Sequence, residues 1–302
     1  MKPFAYDEIG YWSEVKLDIV RKYASAYSTI MSAQPTIRKH IYIDAFAGAG
    51  RHVSRRTGKF VPGSPLNALE VAPPFSEIHL IDLHGGKVAE LRRQIGSRQD
   101  VFIYEGDANK VLLDTVFPRC RYKDFNRALC LLDPYALNVD WSVLQTAGQT
   151  GSIEIFYNFM IMDANMNVLW RNPDNVAPAQ AVRMDKAWGD HSWREAAYVG
   201  KQTLWGDTID EKARNEAIAE GFRKRLEEVA EFKYVPSPVP MRNEKGAVIY
   251  YRHMHLTSLN TICWFMSPQF YHEYPLRGWG RWLLLAAPAG KTASHANGRF
   301  YD

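Results

Sequence analysis

Short apolar runs separated by segments of helical pattern dominate the first half of the chain. Runs rich in β-branched and aromatic side chains predict strands at 41–43, 78–81, 101–104, 128–132 and 153–159. Strands that alternate with helices are typical of βαβ units, whose strands are parallel. The sequence therefore predicts an α/β fold with a mostly parallel, Rossmann-like sheet.

An amphipathic helix precedes the first predicted strand. Apolar residues recur at helical intervals between Tyr11 and Met31, which predicts a helix that covers one side of the sheet. After the first strand, residues 51–63 have the sequence RHVSRRTGKFVPG, a basic loop that we expect to be solvated rather than bound to phosphates. Ser64 and Pro65 form an N-cap and first-turn pair, so a short helix is predicted to begin there.

The pattern changes at residue 160. From there to about residue 230 it is helical and broken by prolines and a glycine, which predicts an inserted helical lid. Extended segments at 232–241 and 247–251 flank the turn RNEKG and predict a β-hairpin. Prolines in the first segment favour an edge strand. The predicted parts are an N-terminal helix with the core (1–159), a helical lid (160–230), a closing hairpin (231–251) and a tail (252–302).

Composition narrows the class of protein without identifying its ligand. Of 302 residues, 46% are hydrophobic, enough for a large folded core. A net charge of +4 permits a nucleic-acid partner but does not require one. Cys120, Cys130 and Cys263 have no metal-binding spacing and suggest a reducing compartment. Because the sequence has neither a membrane-length apolar run nor a signal-peptide pattern, we expect a cytoplasmic protein with no membrane contact.

Four predicted strand ends carry an aspartate. The first strand continues into the turn FAGAG, where glycines let the backbone approach a ligand closely. The carboxyl ends of parallel strands line one crevice, so we expect the four carboxylates to face one ligand. The second, Asp82, can accept hydrogen bonds from a ribose diol, and the third, Asp107, from an adenine amino group. The four residues are Asp44, Asp82, Asp107 and Asp133.

The spacing of these motifs favours one nucleotide cofactor over others. The glycine turn lacks the third glycine of a dinucleotide fingerprint, and no P-loop sequence occurs in the chain. The first strand is also farther from Asp82 than in dinucleotide-binding proteins. NAD and ATP are therefore disfavoured, and S-adenosylmethionine is the predicted cofactor.

The motifs DAFAGAG, GDAN and DPYAL, with the acid at Asp82, resemble the ordered motifs of class I S-adenosylmethionine-dependent methyltransferases. The resemblance implies a seven-stranded sheet with an antiparallel last strand. More narrowly, residues 11–251 resemble the three-Cys-motif partner protein (TcmP) family, through stretches such as EVKLDIVRKYASAY, VPGSPLNAL and WGDHSW. This implies a three-Cys-motif protein as partner. The implied cofactor-binding residues are Asp44, Phe46, Gly48, Gly50, Asp82, Asp107 and Ala108.

The DPYAL segment after the fourth strand indicates the methyl acceptor. Enzymes that methylate exocyclic amino groups of bases commonly have an Asp/Asn-Pro-Pro-aromatic loop there, which Asp133, Pro134 and Tyr135 match except for the second proline. The resemblance implies that these three residues are catalytic. The acid would accept a hydrogen bond from the amine, and the aromatic ring would stack on the base. The segment also resembles a loop of tRNA guanine-amino methyltransferases, so both DNA and RNA are candidate substrates. Asn158, near the end of the fifth strand, is a candidate substrate residue.

Several alternatives stay open. Asp133 could instead cap a proline-initiated turn. The chain could be a non-catalytic, partner-dependent subunit, or a sensor of another adenine nucleotide. Trp188 and Trp193 are expected in the core of the lid rather than at a base-stacking site. His253 and His255 alternate as metal ligands do, but no third ligand is evident nearby, so no metal is predicted.

The sequence after Tyr251 departs from the preceding pattern. Only Glu273 and Asp302 are acidic beyond that point, and tryptophans and histidines cluster there without a helical or strand period. We expect a tail that results from a frame shift or recombination, loosely packed and without site residues. A lineage-specific extension that packs as a real strand and helix is the alternative.

Overall fold

The computed structural model describes residues 4–202, 208–243 and 246–257. The strands are β1 (Glu8–Ile9), β2 (Lys39–Asp44), β3 (Arg51–Ser54), β4 (Phe60–Pro62), β5 (Glu77–Asp82), β6 (Val101–Glu105), β7 (Asn126–Leu132), β8 (Ile153–Phe159), β9 (Tyr198–Gln202), β10 (Thr208–Lys212), β11 (Val239–Arg242) and β12 (Val248–Leu256). The α-helices are α1 (Tyr11–Ser32), α2 (Ser64–Leu69), α3 (Gly85–Ile95), α4 (Ala108–Val111), α5 (Trp141–Thr150), α6 (Ile161–Asn167), α7 (Pro178–Trp188), α8 (Trp193–Ala197) and α9 (Asn215–Glu228).

A mostly parallel sheet forms the centre of the described part of the chain. Its seven strands lie in the order β11-β12-β8-β7-β2-β5-β6. Neighbouring strands from β8 to β6 are parallel, whereas β12 pairs antiparallel with both β8 and β11. The predicted α/β fold, with a mostly parallel, Rossmann-like sheet and an antiparallel last strand, is therefore confirmed.

Alternate side chains of each central strand enter the two layers that cover the sheet. Ile41 and Ile43 of β2 join a large buried cluster that also contains apolar residues of α5 and α9. On the opposite face, α1 packs against β2 and β7. Tyr23 of α1 lies edge-to-face on Phe156 of β8, with ring centroids 6.2 Å apart. The predicted N-terminal helix thus covers one side of the sheet.

The basic segment after β2 is a β-hairpin rather than the predicted loop. Strands β3 and β4 pair antiparallel, and β1 adds a third strand parallel to β3. Gly58 allows the connecting turn because its φ angle is +66°. The hairpin was not predicted because its basic side chains mask the strand pattern. Helix α2 follows, but its N-cap is Gly63 and not the predicted Ser64.

The segment predicted to be a helical lid contains both a hairpin and a core helix. Strands β9 and β10 pair antiparallel within it. Helix α9 belongs to the core, because Phe222 is fully buried and stacks on Phe159 of the sheet with ring centroids 4.5 Å apart. Trp188 and Trp193 are buried as well, which agrees with the predicted core role.

The last strand continues past the predicted boundary at residue 251. Arg252 and His253 pair in register with β8, and both side chains are buried. Residues 252–256 are therefore part of the sheet and not of a loosely packed tail. The strand was predicted too short because an arginine and two histidines interrupt its apolar pattern. The remainder of the predicted tail, residues 258–302, lies outside the described residues.

His253, Cys120 and Cys130 are buried in the protein core. His253 packs against the rings of Tyr157 and Phe222, with centroids 6.3 and 5.7 Å away. Cys120 and Cys130 are free and buried. Within the described residues, no group of three or more His, Cys, Asp or Glu side chains is placed to hold a metal ion. No helix there is long and apolar enough to cross a membrane.

The core position of α9 leads to a test of stability. Phe222→Ala should lower the free energy of unfolding by about 3–5 kcal/mol, because it leaves a cavity among aromatic rings. Lys224→Ala, at an exposed position of the same helix, should change it by less than about 0.5 kcal/mol. Urea denaturation followed by circular dichroism measures both. A small effect of Phe222→Ala would mean that α9 is a lid after all.

Candidate functional site

The sheet reverses its strand order between β2 and β7. From β2 the chain continues to β5 and β6 on one side, and later returns to β7 and β8 on the other. Ligands of open α/β sheets bind outside the carboxyl ends of the strands at such a switch point. Asp44 is the last residue of β2, and Asp133 directly follows β7. Two of the four predicted carboxylates therefore lie on either side of the reversal.

Asp44 is fully buried, and no described residue donates a hydrogen bond to one of its oxygens. Oδ1 accepts a hydrogen bond from the backbone N–H of Phe46 at 3.2 Å, whereas Oδ2 has no hydrogen-bond partner among the described residues. Burial raises the pKa of Asp44 to about 7, and the Ser64 hydroxyl and the Phe46 N–H offset this only in part. Because a buried acceptor without a donor is costly, this oxygen indicates a ligand that brings a cation or a donor.

The glycine turn after β2 leaves room for such a ligand. Gly48 has a φ angle of +64°, and apart from the residue itself and its chain neighbours no described atom lies within 4 Å of where its Cβ would be. Gly50 has a φ of +82°, and a Cβ there would lie 2.8 Å from Leu91 Cδ1, the end of a flexible side chain. Glycine is thus required at Gly50 by conformation, while Gly48 borders open space. Phe46 lies between Asp44 and Gly48 in the sequence and is partly buried against the core.

Asp82 holds the glycine turn in place. Its Oδ2 accepts from the backbone N–H of Gly48 and its Oδ1 from the backbone N–H of His84, each at 2.8 Å. Each carboxylate oxygen keeps a second lone pair for a ribose hydroxyl. Asp82 is therefore placed to bind a ligand and to shape the turn beside it, a second role that the sequence did not suggest.

Asp107 and Ala108 lie at the end of β6, farther along the same edge. Asp107 is the N-cap of α4 and accepts from the backbone N–H of Lys110 at 3.0 Å. Its side chain is exposed, and Ala108, the first residue of the helix, is partly buried. The capping bond leaves Asp107 with acceptor capacity toward solvent, which fits the predicted position at the adenine end.

Asp133 is held between two donors. Lys16 of α1 forms an ion pair with Oδ2, and the Asn158 amide donates to Oδ1 at 2.6 Å. Desolvation works to raise the pKa of Asp133, but the charge and hydrogen bond of Lys16 and the Asn158 bond outweigh it, so this pKa lies below its usual range. The structure therefore brings the predicted residues Asp133 and Asn158 together and adds Lys16, which the sequence did not indicate.

Arg252 of the last strand orients Asn158. Its Nε donates to Asn158 Oδ1 at 3.3 Å, and its Nη2 donates to the Tyr250 hydroxyl at 2.9 Å. The guanidinium lies 5.2 Å from the Phe156 ring centroid and is almost completely buried. Since the Asn158 oxygen is used by Arg252, the amide N–H₂ points to Asp133. Residues beyond Tyr251, predicted to contain no site residues, thus supply a supporting side chain.

Pro134 and Tyr135 differ in their surroundings. Pro134 is buried, whereas Tyr135 is 72% exposed. The Lys87 ammonium lies 5.7 Å from the Tyr135 ring centroid. An exposed ring two residues from Asp133 provides a surface on which a flat group can stack.

His52 of the β3–β4 hairpin is a further residue that sequence reasoning missed. Its Nδ1 atom is buried and has no hydrogen-bond partner among the described residues. Burial lowers the pKa of His52. The nearby Lys16 ammonium adds to this shift, whereas the Asp133 carboxylate opposes it. Gly63 N–H donates to the Gly50 carbonyl at 2.8 Å, so the hairpin that carries His52 closes directly beside the glycine turn.

Comparisons with known proteins find distant structural likeness only. The chain matches no protein-family model, and no curated protein matches it. Protein LPL1258 from Legionella pneumophila is 11% identical with a TM-score of 0.40, over 75% of this chain and 94% of the other. A SAM-dependent methyltransferase from Leishmania major is 8% identical with a TM-score of 0.37, over 79% and 72%. One from Mesorhizobium loti is 9% identical with a TM-score of 0.35, over 78% and 98%.

The raised pKa of Asp44 predicts a pH-dependent stability. The pKa of Asp44 is near 7 in the folded state and near 4 in the unfolded state. The folded protein therefore keeps this proton to a higher pH than the unfolded chain does. Stability is therefore lost as pH rises from about 4 to about 7. Asp44→Asn removes this loss, so its free energy of unfolding relative to wild type should be roughly 2–3 kcal/mol more favourable at pH 8 than at pH 5.

Chemical denaturation between pH 5 and pH 8 measures this difference. Asp114→Asn is the control, because that side chain is 59% exposed and its effect should stay within about 0.5 kcal/mol at every pH. A pH-independent difference between Asp44→Asn and wild type would contradict the account of Asp44.

Proposed function

We propose that this protein is an S-adenosylmethionine-dependent methyltransferase that acts on an exocyclic amino group of a nucleic-acid base. One observation carries the proposal: the uncompensated Asp44 oxygen and the Asp133-Pro134-Tyr135 loop flank the same switch point. The first suits a cationic cofactor, and the second suits a flat acceptor that carries an amine.

The residues around the glycine turn fit S-adenosylmethionine. The buried Oδ2 of Asp44 lacks a donor, which the ammonium of the cofactor's amino-acid part would supply. The open space beside Gly48 would admit that part close to the backbone. Asp82 would accept from the ribose diol, and Asp107 from the adenine amino group. Phe46, Gly50 and Ala108 would shape the walls.

The chemistry required of the protein is alignment. When bound, S-adenosylmethionine supplies an electrophilic methyl group, which the nitrogen lone pair takes up while sulfur keeps the bonding electron pair and the amine releases a proton. Asp133 would accept an N–H of the acceptor and direct its lone pair, and Tyr135 would stack on the ring. Alignment of reacting atoms in a partly desolvated site contributes substantially to catalysis. Because Lys16 keeps Asp133 ionised, Asp133 orients the amine and the proton leaves to water.

The surface near the site supports a nucleic-acid acceptor. The β3–β4 hairpin, which closes beside the glycine turn, carries the exposed basic residues Arg51, Arg55, Arg56 and Lys59. Arg55 and Arg56 each make only a loose ion pair, with Glu8 at 3.9 Å and with Glu14 at 3.8 Å. Their side chains are 67% exposed and are therefore available to phosphates. We propose this hairpin as the positively charged border of the acceptor site.

A partner-dependent subunit is the second candidate. Met162, Met166 and Trp170 follow one another at intervals of four residues along α6 and its end, and are 37%, 65% and 41% exposed. An exposed apolar stripe of this kind favours a protein partner. By the family resemblance, that partner would be a three-Cys-motif protein. The buried free thiols Cys120 and Cys130 fit a role in the cytoplasm.

The proposed roles separate in variants of Asp133. Asp133→Ala and Asp133→Asn should abolish methyl transfer and leave affinity for S-adenosylmethionine nearly unchanged, because Asp133 is assigned to the acceptor. Transfer is measured with a labelled methyl donor on total DNA and RNA, and affinity by calorimetry. Asp174→Ala, at an exposed position, is the control and should retain both.

Two outcomes would change the assignment. Equal transfer by wild type and both Asp133 variants would remove Asp133 from the acceptor site. If wild type binds the cofactor but transfers methyl groups to nucleic acid only after addition of a three-Cys-motif protein, or not at all, the partner-dependent function is favoured.

A further inference from the structure

Lys16 and Asp133 form a charge pair that remains accessible. The Lys16 ammonium is bonded to Asp133 Oδ2, and the two side chains are 20% and 25% exposed. They come from parts of the chain 117 residues apart, and the loop that carries Asp133 also carries the exposed Tyr135. A molecule that stacks on Tyr135 would therefore meet both a cationic donor and an anionic acceptor.

The remaining hydrogen-bond capacity of the pair is defined by its surroundings. An ammonium has three N–H groups, and each carboxylate oxygen has two acceptor positions. Asp133 uses one position of each oxygen, for Lys16 and for Asn158. Arg252 fixes the Asn158 amide in its donating orientation, so Asp133 stays an acceptor toward the site. Lys16 thus keeps two N–H groups and Asp133 keeps one acceptor position on each oxygen, so the pair presents donors and acceptors side by side.

We propose that the Lys16–Asp133 pair binds the Watson–Crick edge of a base, at an amino group and the unprotonated ring nitrogen beside it, so that the acceptor is adenine or cytosine. This inference rests on the proposed methyltransferase function and specifies its substrate. The amine would donate to Asp133, and Lys16 would donate to the ring nitrogen.

Base chemistry distinguishes the candidates. On the Watson–Crick edge, the adenine amine lies beside N1 and the cytosine amine beside N3, and both ring nitrogens are acceptors. The guanine amine lies between N1–H and N3. On the Watson–Crick edge its neighbour is N1–H, a donor that would face the Lys16 ammonium and leave both groups without an acceptor. A site built to hydrogen-bond one group rejects an analogue that lacks it, because its own polar group is left unpaired. Guanine is therefore rejected, which decides between the acceptors that the DPYAL motif leaves open.

A single-stranded or flipped-out base is the form that this pair would accept. In a duplex the Watson–Crick edge is already paired, and enzymes that act on base amines take the base out of the stack. The exposed ring of Tyr135 offers a stacking surface for such a base. A purely structural ion pair between α1 and the sheet would predict no dependence on the ring nitrogen of the substrate.

The first experiment identifies the methylated base. Wild-type protein is incubated with labelled S-adenosylmethionine and total RNA or denatured DNA, and the products are digested to nucleosides. We expect the label in N6-methyladenosine or N4-methylcytidine, or in their deoxy forms. Label in N2-methylguanosine would overturn the inference while supporting the proposed function. No label in any nucleoside despite cofactor binding would overturn the proposed function itself.

The second experiment tests Lys16 on an oligonucleotide that contains the mapped site. The target adenine is replaced by 1-deazaadenine, or the target cytosine by 3-deazacytosine, which removes only the ring nitrogen. Wild-type transfer should fall by about 10- to 100-fold, the range for one hydrogen bond to a charged group. Lys16→Met should already be slow on the natural base and should show little further loss on the deaza base.

Two further variants separate recognition from stability. Lys16→Gln keeps a donor without the charge and should retain part of the discrimination between natural and deaza bases. Lys22→Met changes a lysine of the same helix that pairs with Asp18 at 3.5 Å and should behave as wild type. An equal deaza penalty in wild type and Lys16→Met would overturn the role of Lys16, even if Lys16→Met lowers stability.

Discussion

Two carboxylates lie beside the reversal of the sheet, and the protein compensates only one of them. Asp133 forms an ion pair with Lys16 and accepts a hydrogen bond from Asn158, whereas Asp44 is buried and one of its oxygens has no donor in the part of the chain that the structure describes. Removing a charged group from water costs free energy unless partners replace the lost hydration. Asp133 can therefore stay ionised in the free protein, as the proposed acceptor site requires. Ionisation of Asp44 costs stability as the pH rises from about 4 to about 7, a cost that a cationic ligand would relieve.

The additions to the central sheet all converge on this pair. Helix α1 covers one face and also delivers Lys16 to Asp133. The β3–β4 hairpin follows the glycine turn and carries exposed basic side chains. It also places His52 near the charges of Lys16 and Asp133. The last strand contributes Arg252, which fixes the Asn158 amide. The sheet supplies the crevice, while these additions decide which groups a ligand meets there.

Much of the sheet was predictable because buried parallel strands have a strong local signal. The apolar run at Ile41–Ile43 and the aspartates at strand ends predict that Asp44, Asp82 and Asp133 lie at one edge of the sheet. The hairpin was missed because basic side chains at its exposed edge mask the strand pattern. The end of β12 was missed because Arg252 is buried for its hydrogen bonds and not for its apolar character. Lys16 gave no signal at all, since its partner is 117 residues away.

Calorimetry with S-adenosylmethionine, S-adenosylhomocysteine, NAD and ATP measures which of these nucleotides the protein binds. We expect the first two to bind the wild-type protein, and NAD and ATP not to bind. In Asp82→Ala, S-adenosylmethionine should bind roughly 1.5–3 kcal/mol more weakly, the range for a hydrogen bond to a charged group. Absence of S-adenosylmethionine binding, equal binding of NAD or ATP, or unchanged affinity in Asp82→Ala would contradict the proposed cofactor site.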